Sequence, residues 1–187
     1  MSSCQSTQSS NVSVDYYQIS GDSVEALDEQ IRTKGPRLNG GEHAVAVARI
    51  RMIPNFQYRP DSAGCSVKSA KVNVDAKVTL PNWIGRKSAD KQMAKAWDNI
   101  DRYTRLHESY HVALAFRYAK IIENEVLAQS PQSNCDMLRD KSIAIFKTRL
   151  AEHETAQRDF DRSEQDRFAQ YAKKSGSRLK IVGNTEG

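Results

Sequence analysis

From Lys71 to Leu80 apolar and polar residues alternate without a break. Val72, Val74, Ala76, Val78 and Leu80 fall on one side, and Lys71, Asn73, Asp75, Lys77 and Thr79 on the other. A period of two is the geometry of an extended strand, and one wet face predicts antiparallel pairing. Pro81, which has no N–H to give to a ladder, is expected to end this strand. "HAVAVARIRMI" shows the same period, with Val45, Val47, Arg49 and Arg51 against Ala44, Ala46, Ala48, Ile50 and Met52. "VDYYQIS" reads as a further short strand beginning near Val14. Between these strands, "SGDSVEALDEQIRTKG" predicts a helix. Asp22 or Ser23 would cap it, Val24, Leu27 and Ile31 share a face, and Gly35-Pro36 stops it.

Past Pro81 the period changes. No proline or glycine occurs from about Ser88 to Gln129, and Met93, Trp97, Ile100, Tyr103, Leu106, Tyr110, Leu114, Tyr118 and Ile122 recur at steps of three and four. That spacing predicts one long amphipathic helix. "SPQSNCD" breaks it, and a second helix is expected from about Cys135 to Lys173 with Met137, Leu138, Ile143, Ile145, Phe146 and Leu150 as its apolar set. Its C-terminal half, "AEHETAQRDFDRSEQDRFAQY", is polar nearly all round. A helix tolerates this when it is solvated or when some polar groups face something charged. Strands followed by helices predict an α+β fold, a small antiparallel or mixed sheet packed on long helices.

Size sets one domain, since 187 residues bury one good core more readily than two. It is expected over residues 14–172. Residues 1–13 are Ser/Gln/Asn-rich and read as a disordered leader, and residues 173–187 as a basic flexible tail. The net charge of +5 gathers most visibly in "KKSGSRLK". No aromatic residues interleave there to stack bases, so no nucleic-acid partner is expected. No run of about 18 apolar residues is present, so no transmembrane segment is expected. Of three cysteines, Cys65 and Cys135 fall within the domain, where a disulfide and a pair of buried thiols are both open.

The candidate chemistry lies in "HESYH". Two of the chain's four histidines, His107 and His111, stand one turn apart on the predicted helix, with Glu108 after the first. Side chains four apart have Cβ atoms roughly 5–6 Å from one another, so both rings can aim a nitrogen at one cation. Zinc suits such a pair with bonds of about 2.0–2.1 Å, and a glutamate in this position is the general base of His-Glu-x-x-His hydrolases. The longer signature with a third histidine is excluded, because Leu114 and Arg117 occupy the glycine and histidine positions. A third ligand must come from elsewhere. The polar second helix offers Glu152, His153, Glu154, Asp159, Asp161 and Asp166.

Several short pieces, in order, carry a resemblance: "YYQISG", Gly35-Pro36, Cys65, "LPNW", "HESYH", Cys135 and Phe160-Asp161. Across about residues 14–170 the chain resembles the bacterial family of predicted secreted zinc-dependent proteases, a domain largely of unknown function. The resemblance implies a zincin-like fold, a secreted or periplasmic location, a peptide or protein substrate and Zn2+ as cofactor. It assigns His107 and His111 to the metal and Glu108 to the base. The family's closing motif reads Tyr-Asp-x-x-Thr-x-His-Gly, its histidine the third ligand, and the matching stretch here is "FDRSEQDR". Asp161 is kept, whereas Glu164, Asp166 and Arg167 replace threonine, histidine and glycine. Asp166 is therefore expected as third ligand, with Asp161 as the alternative ligand or as a residue orienting one. The strand at 67–80 is expected to line the cleft and pair with an extended peptide.

Overall fold

The computed structural model describes residues 9–38 and 40–175. It has an α+β architecture, a three-stranded mixed sheet with long helices on one face. In chain order the elements are β1 (Asn11–Ile19), α1 (Val24–Lys34), β2 (Val47–Asp61), β3 (Gly64–Trp83), a short 3-10 helix (Ile84–Lys87), α2 (Lys91–Leu127) and α3 (Cys135–Ser175).

Strand order is β1-β3-β2, so the alternating strand is central rather than an edge. Val72, Val74, Ala76, Val78 and Leu80 are buried beneath the helices as their period requires. β2 pairs with β3 antiparallel, from Val47 opposite Thr79 to Asp61 opposite Gly64, while β1 pairs with it in parallel, from Asn11 opposite Asp75 to Ile19 opposite Trp83. Two boundaries differ from expectation. β3 runs through Pro81 to Trp83, because β2 pairs no further than Thr79 and the strand beyond it has a neighbour on one side only, where a missing N–H is tolerated. β1 begins at Asn11, inside the expected leader, because backbone pairing with the stretch from Asp75 to Lys77 does not depend on side-chain polarity. Residues 1–8 and 176–187, most of the expected leader and tail, lie outside the described residues.

Where β1 falls short, the open stretch of β3 is served by side chains. Ser10 Oγ accepts the N–H of Val74, and Glu123 Oε1 from α2 accepts that of Val72, each at 3.0 Å. A buried backbone N–H needs a partner, and these supply it.

Ser23 caps α1, its hydroxyl accepting from the N–H of Ala26, and Asp90 caps α2 by accepting from Gln92 and Met93. α2 lies on β3 through Ala115, Ala119, Ile122 and Val126, which meet Met52, Val72, Val74 and Ala76. The two alanines bring helix and sheet close together. α3 packs on α2, and its first turn is tied to the β2–β3 hairpin. Cys65 and Cys135 form a disulfide, and Cys65 exchanges two backbone hydrogen bonds with Gln132. Gly64 stands at the tightest point of this junction. Its φ is positive, at 142°. A Cβ there would lie 2.1 Å from the Gln132 carbonyl oxygen. Only glycine combines that backbone with so close an approach. Among the described residues, no helix is long and apolar enough to cross a membrane.

Candidate metal centre

α2 and α3 face each other along a polar seam whose layers follow the helical repeat. In the outermost layer the Tyr103 hydroxyl donates to Glu164 Oε2 at 2.9 Å. Next come His107 and Asp161, with His107 Nε2 3.1 Å from Asp161 Oδ1. One turn further along α2, His111 Nε2 lies 3.0 Å from the same oxygen and 3.0 Å from His107 Nε2. Behind it, Gln157 Oε1 is 2.6 Å from His111 Nδ1. Gln157 Nε2 lies 3.2 Å from the His111 carbonyl oxygen and 2.8 Å from His153 Nε2. His153 closes the seam with its ring edge-on to Tyr118.

Burial makes these contacts consequential. His111 is 0% exposed, His107 9%, Asp161 7% and Glu108 3%. Phe160 covers the pair, its ring centroid 4.9 Å from His107 and 5.0 Å from His111, and Tyr110 stacks on its outer side at 4.0 Å. His111 Nε2, His107 Nε2 and Asp161 Oδ1 form a near-equilateral triangle of two ring nitrogens and a carboxylate oxygen, each an atom that can offer a lone pair to a cation placed among them. Histidine nitrogens and a carboxylate are the donor set that zinc takes, with three protein ligands leaving a fourth position open. The residues present therefore fit a divalent cation.

Glu108 lies one residue along from His107 and turns toward the sheet. The backbone N–H of Ala48 in β2 interacts with its carboxylate, while Oε2 is buried with no hydrogen-bond partner among the described residues. Burial pushes its pKa above the ordinary carboxylate value, against the pull of His111, His107 and the Ala48 amide. β2, not β3, is thus the edge strand beside this residue. Thr104 Oγ1 and His107 Nδ1, on the same stretch of α2, are likewise buried with no hydrogen-bond partner among the described residues.

Of the two aspartates considered for the third position, Asp161 joins the histidines and Asp166 does not. Asp166 comes more than a turn later on α3, on a different side of the helix, and is exposed. Glu152 and Asp159 pair with Arg149 and Arg162 at the surface. Gln157 is the member of the seam that composition gave no reason to single out, because an amide carries no charge and no metal-ligand signature. Its spacing was available: His153, Gln157 and Asp161 fall four apart on one face.

Comparison with curated proteins and with solved structures found no match to the chain. One family model matches from residue 14 to residue 168, spanning the sheet, the histidine pair and Asp161, and the chain belongs to that family, described as bacterial protein of unknown function (DUF922).

Proposed function

We propose that the protein is a zinc-dependent peptidase of zincin-like type, with His107, His111 and Asp161 as metal ligands and Glu108 as general base. Support comes first from the triangle itself: three donor atoms within 3.0–3.1 Å of one another, contributed by two helices and suited to a cation among them. Zinc held there would supply Lewis acidity, polarising a peptide carbonyl and lowering the pKa of a water from 15.7 toward about 7. Glu108 Oε2 is the atom that takes the proton from the attacking water and delivers it to the amine nitrogen as the C–N bond breaks. β2 offers an extended peptide its outer edge beside Glu108. The Cys65–Cys135 disulfide supports an oxidising location, secreted or periplasmic.

The cover of Phe160 and the low exposure of the ligands favour a second reading, in which the metal is structural and the protein a binding or scaffold module. Zinc analysis of the purified protein, combined with cleavage of an unfolded protein substrate with and without chelator, separates the two. Near-stoichiometric zinc with chelator-sensitive cleavage supports the peptidase. Zinc without turnover supports the scaffold, and absence of zinc after incubation with the ion removes the peptidase and leaves a scaffold without a metal.

A further inference from the structure

We infer that Gln157 is the positioning residue of this centre. It fixes the tautomer of His111 so that the Nε2 lone pair points into the triangle, and the His111 carbonyl holds Gln157 in the orientation that does so. The inference deepens the metal reading above and rests on it for its use, though the hydrogen-bond logic stands without a metal.

A glutamine amide can sit two ways round, and its neighbours decide which. One end of Gln157 lies 3.2 Å from the His111 carbonyl oxygen. A carbonyl oxygen only accepts, so that end must be the NH2. The opposite orientation would set two carbonyl oxygens against each other in a site where Gln157 is 4% exposed and His111 0%. With the NH2 placed, Oε1 is the atom 2.6 Å from His111 Nδ1. An amide oxygen only accepts, so Nδ1 carries the proton. Neutral imidazole has one N–H. Nε2 is therefore the lone-pair nitrogen, and it faces His107 Nε2 and Asp161 Oδ1.

His153 completes the seam. The remaining N–H of Gln157 is directed at His153 Nε2, 2.8 Å away, which accepts it when the His153 proton sits on Nδ1. Because either tautomer of His153 can meet the amide, the His111 carbonyl is what sets its orientation. The seam behind the triangle thus works as a chain of orientation from the His111 carbonyl through Gln157 to the His111 ring. A metal-bound histidine commonly donates its other N–H to a fixed acceptor, and removing such an acceptor typically weakens metal binding about 10- to 100-fold.

The test uses the full chain. In metal-free protein, long-range 1H–15N correlation spectra should show His111 with its proton on Nδ1; a proton on Nε2 overturns the inference whatever the metal does. Co2+ and Zn2+ binding should weaken about 10- to 100-fold in Gln157→Leu, which removes the acceptor at Nδ1. Wild-type affinity in the leucine variant, with the tautomer unchanged, also overturns it. If wild type binds neither ion, the metal reading fails and the tautomer measurement alone judges the role of Gln157.

Discussion

Asp161 Oδ1 lies 3.0 Å from His111 Nε2, across the seam between a helix of 37 residues and one of 41. The contact is what makes a histidine pair into a three-donor centre, and it singles out Asp161 over Asp166. Asp161→Asn should remove stoichiometric zinc from the dialysed protein and lower its thermal midpoint in the presence of zinc. Asp166→Asn should leave both unchanged. Equal zinc loss in the two variants would contradict the assignment.

On the proposed reading Glu108 acts on the attacking water and does not ligate the ion. Glu108→Gln is therefore expected to keep zinc content at the wild-type level while hydrolysis falls by roughly 10²-fold or more, the scale of a lost general base. Undiminished cleavage by that variant would remove Glu108 from the chemistry.

The Cys65–Cys135 disulfide closes a loop of sequence separation 70. For a loop of that length the chain-entropy model gives about 4 kcal/mol of stabilisation. A Cys65→Ser, Cys135→Ser double variant should show a lower urea midpoint by a corresponding amount, with little change in far-ultraviolet circular dichroism below the transition. An unchanged midpoint would mean the bridge adds nothing beyond the Cys65–Gln132 backbone bonds.

Burial, aided by the neighbouring charge of His111, lowers the pKa of His153 from its ordinary 6.5 to about 4. Between those values the unfolded chain binds a proton that the folded chain refuses. Stability is therefore unaffected by this group above about pH 6.5 and declines as pH falls from there through about 4, by up to about 3 kcal/mol. Denaturation of chelator-treated protein across this range should show the decline, and His153→Gln should flatten it. Parallel slopes in the two proteins would assign the acid sensitivity elsewhere.

Periodicity carried much of the fold. Val72 to Leu80 announced a half-buried strand, and the apolar steps from Met93 to Ile122 announced α2. What it missed was relational. Parallel pairing of β1 and passage through Pro81 both depend on which strand lies alongside, and no local pattern encodes that. The site divides in the same way. His107, Glu108 and His111 were legible because their spacing is itself the geometry. Asp161 competed with other polar side chains of α3, and only its phase relative to His153 and Gln157 sets it apart from Asp166. The buried stripe of α3 also explains why a helix so polar packs at all.

α3 is fastened covalently near its start and by side chains further along. Its first residue is bonded through sulfur to the sheet, and Asp161, many turns further along, meets α2 at the triangle. On the proposed metal reading, removing the ion would take away one tie while the Tyr103–Glu164 and His111–Gln157 contacts and the disulfide keep α3 against α2, so the architecture would outlast the loss of metal.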